Sequence, residues 1–369
     1  MKLTLQIKLI PTEEQAKSLL ATMKTSNAVC NNISEVVWDK KVFNQFKAHH
    51  LVYHNLKKTT SLSAQMLIRC ISKVIDAYKL DRRKKRSFKP LGAITYDSRI
   101  LSYKGKTASV WSVDGRLKIP FICHNEKFLP YIKGEADLVT KKGKFYFFQT
   151  VEIPEEDIKD VETFIGVDFG MTDIAVLSDG TSFSSDKLNT ARNKFFKVRR
   201  SVQSKGTQGS RKLLKRLKGR ERRFATITNH TISKRIVEQA RNLRMGIAIE
   251  DLTHIRERTT VRKSQRRKHH SWAFSQLRSF LEYKARLNGV LLLAVNPRYT
   301  SQICNVCKCI GNRKGKHFSC PNCGNVSDAD VNAAQNIAQL GMLVNHPEKV
   351  NMYCSLLHVP LMPRQLAAG

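Results

Sequence analysis

Phe164-Ile165-Gly166-Val167-Asp168-Phe169-Gly170 is an apolar stretch that ends on an acidic residue and then turns at a glycine. Residues 245–252, Met-Gly-Ile-Ala-Ile-Glu-Asp-Leu, repeat this pattern and place Glu250 at the end of the apolar run. Both stretches have the length and apolar content of buried β-strands. A buried carboxylate is costly unless it is paired or bound to a metal ion. The two stretches therefore predict strands that end at a functional site, where Asp168 and Glu250 are paired or bound to a metal ion.

The segments around these strands predict a mixed sheet. A short return strand and a turn follow the first strand, and a long basic helical hairpin broken at 204–210 is predicted at 187–242. A strand at 246–250, a helix from about Ser271 to Asn288 and a strand at 289–295 are predicted to follow. Antiparallel strands followed by helix-separated strands are typical of a ribonuclease-H-like sheet. In such a sheet the first and fourth strands are neighbours, so we expect Asp168 and Glu250 to face each other across the sheet edge.

A third acid, Asp330, lies in Ser327-Asp328-Ala329-Asp330-Val331, where the last helix of this unit is predicted to begin. That helix would bring Asp330 beside Asp168 and Glu250. Three converging carboxylates form a cage for hard divalent cations, which catalyse phosphodiester hydrolysis. We predict that the three acids are catalytic and hold two Mg²⁺ ions, with Mn²⁺ as a substitute.

Each acid also has a structural interpretation when taken alone. Asp168 would be a turn residue, Glu250 would pair with an arginine, and Asp330 would be a helix cap. The nearest rivals for the site are Asp173, Asp251 and Asp328. Strand alternation predicts that Asp251 points away from Glu250, and Asp328 lies two residues before the predicted helix position. The order of the three acids and the elements that carry them favour the catalytic interpretation.

Two C-x2-C pairs predict a zinc site. They are Cys304/Cys307 and Cys320/Cys323, separated by 12 residues. This spacing is typical of a tetrahedral structural zinc site with four cysteine ligands, which leaves no position open for catalysis. The segment is rich in Asn, Lys and Gly and has no core in which to bury unliganded cysteines. Cys309 is a fifth thiol that could substitute for one of the four.

The net charge predicts an anionic polymer as partner. The chain has 65 Lys+Arg against 30 Asp+Glu, a formal charge of +35. Nucleic acid is favoured over a membrane surface or a ribosomal-type structural role. Residues 192–223 hold fourteen cations and one acid, and residues 256–268 hold seven and one. Apolar residues interleave with the first cluster, so we expect its helices to pack on one side and to bind phosphates on the other. The candidate phosphate ligands are Arg199, Arg200, Lys212 and Arg216.

Other features of the sequence favour a protein of a reducing, cytoplasmic compartment. The longest apolar run, Val290–Val295, is strand-sized rather than membrane-spanning. Residues 1–10 alternate apolar and polar side chains, which predicts an amphipathic strand rather than a signal peptide. Cysteines in two C-x2-C pairs are typical of a zinc site rather than of a disulfide framework. Membrane partners are therefore not expected.

The organisation predicted is that of an α/β multidomain protein. The helical segment begins where Thr12 caps a helix and Gln15 reaches back, and a further helix is predicted at 63–80. Four strands are predicted between Lys106 and Val151 in two hairpins. The predicted domains are a small β-barrel (1–10 and 91–160), an inserted helical domain (11–90), a ribonuclease-H-like domain (161–299 and 327–345), a zinc ribbon within it (300–326) and a tail (346–369).

Five motifs together resemble the TnpB (OrfB) family of transposon-encoded nucleases, the compact relatives of type V CRISPR effectors. The resemblance covers essentially the whole chain. Two departures are Lys308, where members often have Gly, and Ala329, where Arg is common. The motifs are Leu-Ile-Pro-Thr-Glu-Glu-Gln at 9–15, Gly-Val-Asp-Phe-Gly at 166–170 with Ser-Asp-Gly at 178–180, Ile-Glu-Asp-Leu at 249–252, Thr-Ser-Gln at 300–302, and Asp-Val-Asn-Ala-Ala-Gln-Asn-Ile at 330–337.

The resemblance implies an RNA-guided DNA endonuclease. Its RuvC acids would be Asp168, Glu250 and Asp330, and its zinc ligands would be the cysteines of the two C-x2-C pairs. A guide RNA from the transposon end would bind the protein, a short motif beside the target would be read by the protein, and base pairing would supply specificity. The barrel and the helical domain would correspond to the wedge and recognition domains. We expect a monomeric ribonucleoprotein, associated with the nucleoid of a prokaryotic cell, that acts on double-stranded DNA.

Two other functions are compatible with these residues. One is an RNA-guided repressor whose nuclease unit is inactive, although retention of all three acids argues against it. The other is a resolvase or transposase that acts without RNA. A discrete long transcript that co-purifies with the protein would argue against the second alternative.

Overall fold

A computed structural model describes residues 1–158, 160–252 and 274–346. The chain divides into two compact units, Met1–Pro154 and Glu155–Gly369. The basic segment predicted at 256–268, the predicted start of a helix at Ser271 and the tail beyond His346 lie outside the described residues. Within these ranges, no helix has the length and apolar character needed to cross a bilayer.

The first unit contains three helices. The capping box predicted at Thr12 is present, because Thr12 and Gln15 exchange hydrogen bonds between side chain and backbone. The helix predicted at 63–80 is confirmed. The middle helix was not predicted, although Ala48, Val52 and Leu56 are buried at intervals of four residues. The helices are α1 (Glu13–Asp39), α2 (Gln45–Thr59) and α3 (Ala64–Leu80).

A seven-stranded antiparallel sheet completes the first unit. Its strands are β1 (Lys2–Leu9), β2 (Ile94–Tyr96), β3 (Leu101–Lys104), β4 (Thr107–Ser112), β5 (Gly115–Cys123), β6 (Ile132–Lys141) and β7 (Lys144–Glu152), in the order β2-β6-β7-β1-β5-β4-β3. The two predicted hairpins are confirmed as β4–β5 and β6–β7. The edge strands β2 and β3 are consecutive, and the Tyr96 hydroxyl donates to the Trp111 carbonyl at 2.9 Å. The predicted barrel is therefore a nearly closed sheet.

The second unit contains a five-stranded mixed sheet with the expected strand order. Its strands are β8 (Phe164–Asp168), β9 (Asp173–Leu177), β10 (Ser182–Ser184), β11 (Gly246–Glu250) and β12 (Leu292–Val295). The order is β10-β9-β8-β11-β12, with β11 parallel to both β8 and β12. The first and fourth strands of the unit are thus neighbours. The last strand begins at Leu292 rather than at the predicted Gly289, which has a φ of +60° and belongs to the preceding turn.

Helices connect and cover this sheet. They are α4 (Asp186–Ser204), α5 (Gln208–Leu217), α6 (Arg220–Leu243), α7 (Phe274–Leu287) and α8 (Ala329–Asn345). The prediction of one helical hairpin at 187–242 was wrong in the number of helices. In addition to the predicted break after Ser204, the chain breaks at Lys218-Gly219, where Gly219 has a φ of +81°. An L side chain rarely adopts this left-handed conformation, so the glycine permits the second break.

A small three-stranded sheet lies between β12 and α8. Its strands are β13 (Asn312–Lys314), β14 (His317–Ser319) and β15 (Val326–Asp328). The buried side chains of Cys304, Phe318, Cys320 and Ala329 form its core. We call residues 300–328 the cysteine ribbon. Because Ala329 is the first residue of α8, the ribbon core and the helix are joined without a linker.

Candidate active site

Asp168 and Glu250 end neighbouring parallel strands. Val167 of β8 pairs with Ile249 of β11, so the next residue of each strand emerges at the same edge of the sheet. Glu250 is buried, and Asp168 is partly buried. The expectation that the two acids face each other at the sheet edge is confirmed.

Close packing of α8 on β8 brings the third acid to this edge. A Cβ atom at Gly166 would lie 1.9 Å from the Ala334 carbonyl oxygen, so only glycine allows the helix to approach so closely. Asp330 lies in the first turn of α8. The helix cap is Asp328, whose side chain accepts hydrogen bonds from the backbone amides of Asp330 and Val331. The alternative that Asp330 is the cap is therefore wrong.

The three acids line one cavity of about 590 Å³. Its wall is formed by the ends of β8 and β11, the start of α8, and residues of the cysteine ribbon. The lining residues are Asp168, Phe169, Gly170, Met171, Thr172, Asp173, Glu250, Asp251, Leu252, Pro297, Thr300, Ser301, Arg313, Gly315, Lys316 and Asp330. We call this cavity the acidic pocket.

Burial raises the proton affinity of two carboxylates of the acidic pocket. Burial raises the pKa of Asp168 to about 7, and the charges of Glu250 and Asp330 act in the same direction. Burial also raises the pKa of Glu250, while a hydrogen bond from Thr300 and the charge of Arg313 oppose that shift. Carboxylates held this close together favour a bound cation, because a cation offsets their repulsion.

Three ribbon residues that were not predicted for the site contact acids that line the pocket, two of them the candidate catalytic acids. The Thr300 hydroxyl donates to Glu250 Oε1 at 2.5 Å, and the Arg313 guanidinium lies 2.7 Å from Asp330 Oδ1. Lys316 forms an ion pair with Asp173. Of the three, only Thr300 had a sequence feature that pointed to a functional role, the Thr300-Ser301-Gln302 motif. Arg313 and Lys316 are part of a basic loop with no distinguishing pattern.

The rival acids have structural partners. Asp173 is buried at the start of β9 and pairs with Lys316. Asp251 is partly exposed at the rim of the acidic pocket, and its carboxylate lies 2.7 Å from Arg278 of α7. Both carboxylates thus have a cationic side chain as partner, as Asp330 has in Arg313.

The donor set of the acidic pocket fits a hard divalent cation. Asp168, Glu250 and Asp330 provide carboxylate oxygens, the ligands that Mg²⁺ and Mn²⁺ prefer. Burial contributes most to the raised pKa of Asp168, and the negative charges of Glu250 and Asp330, which a cation would neutralise, add to it. The residues present therefore fit the predicted ion, which Asp168, Glu250 and Asp330 would hold.

Four cysteines of the ribbon converge on a second site. Cys304 Sγ lies 3.7 Å from Cys323 Sγ, Cys307 Sγ lies 3.4 Å from Cys320 Sγ, and the four sulfur atoms all lie within 4.8 Å of one another. This arrangement fits one tetrahedral zinc ion. A hydrogen bond from the Cys309 backbone amide lowers the pKa of Cys307 to about 6, which favours the thiolate. The exposed Cys309 thiol is outside the cluster found among the described residues.

Side-chain hydrogen bonds tie the cysteine ribbon to α8. Asn332 and Asn336 both donate to the Ile303 carbonyl at 2.7 Å, and the Asn305 side chain donates to Gln335 at 2.5 Å. Lys308, the residue that departs from the family pattern, hydrogen-bonds Gln339 and the Asn305 carbonyl. The cysteine ribbon is thus fixed to the helix that carries Asp330.

The predicted phosphate ligands are all exposed on α4 and α5. Arg199 and Arg200 are on α4, and Lys212 and Arg216 are on α5. Arg199 lies 3.8 Å from Glu221. The expectation that the interleaved apolar side chains are packed away was wrong for three of them. Phe196, Val198 and Phe224 are exposed together with the cations.

Comparisons of the sequence link the chain to known proteins. Residues 274–337, which include the four cysteines and Asp330, match the TNB domain of the Cas12f1-like family. A TnpB-like protein of Methanocaldococcus jannaschii is 31% identical over 260 residues, which cover 67% of this chain and 87% of that protein. A CRISPR-associated endodeoxyribonuclease, Cas12f1, of Sulfoacidibacillus thermotolerans is 29% identical over 54% of this chain and 50% of its own length.

A further relative agrees with this link, and a solved structure shares the fold. A putative RNA-guided DNA endonuclease of Escherichia coli, InsQ, is 28% identical over 55% of each chain. The structure of the mini-RNA-guided endonuclease CRISPR-Cas phi3 has the same fold, with a TM-score of 0.55, 10% identity, and coverage of 93% of this chain and 92% of that one. The chain is 31% identical to the Methanocaldococcus jannaschii protein over 67% of the chain and 87% of that protein, and it therefore belongs to the TnpB-like family.

Proposed function

We propose that the protein is an RNA-guided DNA endonuclease that hydrolyses phosphodiester bonds in the acidic pocket. The observation that carries this proposal is the convergence of Asp168, Glu250 and Asp330 at one edge of the mixed sheet. Relatives named as endodeoxyribonucleases or as putative RNA-guided DNA endonucleases support the choice of reaction and of guide. The charge of +35 supports two nucleic-acid partners.

The catalytic residues proposed are the three acids. Two divalent cations held there would activate water and stabilise the leaving 3′ oxygen. Glu250 is oriented by its hydrogen bond from Thr300. Arg313 lies in the same pocket, where a guanidinium can stabilise negative charge that develops on a phosphate.

The proposal extends to the partners. A guide RNA from the transposon end would pair with the target strand, and the protein would read a short motif beside the target in double-stranded DNA. The exposed cations of α4 and α5 would bind phosphates without reading bases. The active particle would be a monomeric ribonucleoprotein of the prokaryotic cytoplasm, associated with the nucleoid, and its cleavage would serve the transposon.

Co-purification of RNA tests whether the protein binds a guide RNA. The protein is expressed with its native flanking DNA and purified, and the bound RNA is sequenced. The particle is then incubated with Mg²⁺ and plasmids that carry a target matched to the RNA beside randomised flanking sequence. We expect a discrete transcript from the flank and cleavage only of matched targets that carry one flanking motif, whereas a scrambled guide gives no cleavage.

Two results would contradict the proposal. Cleavage without RNA would indicate a resolvase or transposase. Guide-dependent binding without cleavage, in Mg²⁺ and in Mn²⁺, would indicate a repressor.

A further inference from the structure

The turn between β13 and β14 lies at the rim of the acidic pocket. Lys314 pairs with His317 across the hairpin, so Gly315 and Lys316 form a two-residue turn. Gly315 has a φ of +64°, which a glycine adopts without strain. Gly315, Lys316 and Arg313 all line the acidic pocket. The tip of the cysteine ribbon therefore forms part of the wall of the pocket.

An ion pair joins this tip to the mixed sheet. Lys316 pairs with Asp173, the first residue of β9, whose side chain is only 7% exposed. A buried carboxylate is costly without a cationic partner. The hydrogen bond with Asp173 raises the pKa of Lys316, and the charges of Asp328 and Asp330 act in the same direction. The ion pair therefore links residues 143 positions apart in the chain.

The same turn is attached to the start of α8. The Lys316 carbonyl accepts a hydrogen bond from the Ala329 amide at 2.7 Å, and Arg313 lies 2.7 Å from Asp330. The side chain of Lys316 thus contacts the sheet while its backbone contacts the helix that carries a catalytic acid. Movement of the turn away from Asp173 would move Arg313 relative to Asp330.

We propose that Lys316 and Asp173 are positioning residues. Their ion pair holds the β13–β14 turn against the sheet and so keeps Arg313 beside Asp330 in the acidic pocket. The effect on the turn is a property of the folded protein alone. The effect on cleavage rests on the proposed function.

Hydrogen exchange of the zinc-loaded full chain tests the effect on the turn. The matched variants are Lys316→Met, which removes the cation but keeps the length of the side chain, and Lys314→Met, which removes an exposed cation of the same hairpin. Because hydrogen bonds to charged groups contribute most to local stability, we expect amides of 312–319 to exchange roughly tenfold faster in Lys316→Met. We expect no change in Lys314→Met.

A double variant keeps the test valid if Lys316→Met does not fold. Asp173→Asn/Lys316→Met removes both charges, so no unpaired carboxylate is left buried and the net charge is unchanged. It should show the same faster exchange of the turn, whereas Lys316→Arg should restore slow exchange. Unchanged exchange in both the single and the double variant would overturn the proposal.

Single-turnover cleavage by guide-loaded protein tests the effect on the reaction. At saturating matched DNA we expect Lys316→Met and the double variant to cleave roughly 10- to 100-fold more slowly, since small misplacements at an active site have effects of this size. Target affinity should be unchanged, and Lys316→Arg should recover most of the rate.

The two measurements separate the possible failures. A wild-type protein that does not cleave would contradict the proposed function, and hydrogen exchange would then decide on the ion pair by itself. Faster exchange of the turn with a cleavage rate equal to that of Lys314→Met would overturn the positioning role.

Discussion

At the scale of single residues, the acidic pocket is defined by carboxylates that repel one another. Burial and the charges of Glu250 and Asp330 raise the pKa of Asp168 to about 7. A carboxylate in an unfolded chain titrates at about 3.9. The folded, cation-free protein therefore binds a proton at Asp168 more tightly than the unfolded chain does, and ionisation of this group opposes folding.

The stability of the cation-free protein should consequently depend on pH. Because the pKa is raised in the folded state, the contribution of Asp168 is fully present below pH of about 4 and is lost as the pH rises through about 7. We expect the free energy of unfolding of the wild type to fall by on the order of 1–3 kcal/mol, relative to Asp168→Asn, between pH 5 and pH 8. Urea unfolding of the zinc-loaded proteins at the two pH values, without added Mg²⁺, measures this difference in the free energy of unfolding.

Addition of Mg²⁺ provides the control for this titration. A cation that binds only the folded protein stabilises it, and it competes with the proton at Asp168. Mg²⁺ should therefore stabilise the wild type more at pH 8 than at pH 5 and should have little effect on Asp168→Asn. A pH dependence that is the same in both proteins would contradict the assigned pKa.

At the scale of elements, the approach of α8 to β8 determines where Asp330 lies. A Cβ at Gly166 would overlap the Ala334 carbonyl at 1.9 Å and would lie 2.5 Å from the Ala338 amide. Both neighbours are backbone atoms and cannot rotate away. The close packing of α8 on β8 is therefore encoded by the absence of a side chain at one position of β8.

Gly166→Ala should destabilise the second unit. Overpacking of this kind costs about 1–3 kcal/mol or more, and the displaced helix should also lower the affinity of the acidic pocket for Mn²⁺. Gly209→Ala is the matched control. Gly209 lies in the first turn of α5, where an added Cβ would have only the Thr207 hydroxyl nearby, at 3.9 Å. This variant should raise the free energy of unfolding by about 0.4–1 kcal/mol. Equal unfolding midpoints for the two variants would contradict the packing described.

The cysteine ribbon should bind one zinc ion through Cys304, Cys307, Cys320 and Cys323. Since structural zinc binding is coupled to folding, Cys320→Ser should lose the ion and unfold the ribbon locally. Cys309→Ser, at the exposed thiol, should keep it. Metal analysis and X-ray absorption of both variants provide the measurement. A protein without zinc, or a sulfur shell in which Cys309 replaces Cys307, would contradict the assignment.

Local patterns in the sequence predicted most elements and the two sites, but not their contacts. The ends of β8 and β11, the cap at Thr12 and the cysteine pairs each depend on residues close together in the chain. The second helix, α2, was missed although its buried residues Ala48, Val52 and Leu56 recur at helical spacing, because the segment as a whole is polar and basic. Arg313 and Lys316 were missed because their roles depend on partners brought together only by the fold. Lys316 and Asp173 are 143 positions apart.

At the scale of the whole molecule, the charge of +35 should set the affinity for nucleic acid. Charge reversals at Arg199, Arg200, Lys212 and Arg216 should weaken binding of all DNA targets alike. They should also reduce the slope of log affinity against log salt, by about 0.9 for each duplex phosphate that a cation no longer neutralises. Preference for matched over mismatched targets should be unchanged, because pairing with the guide reads the sequence.

Titration of guide-loaded protein against matched and mismatched DNA at several salt concentrations measures both quantities. Arg199 already lies near Glu221 and should contribute less than the other three cations. An altered target preference with an unchanged salt slope would mean that these side chains read bases, which would contradict their assignment as phosphate ligands.

The most direct test of the proposed function is cleavage of matched DNA by guide-loaded acid variants in Mg²⁺. Asp168→Asn, Glu250→Gln and Asp330→Asn should each lower the cleavage rate at least about 100-fold while guide and target binding stay nearly intact. Asp251→Asn, a change at the carboxylate next to Glu250 that pairs with Arg278, should keep cleaving. Cleavage at the wild-type rate by either the Asp168 or the Glu250 variant would contradict the assignment of the catalytic site.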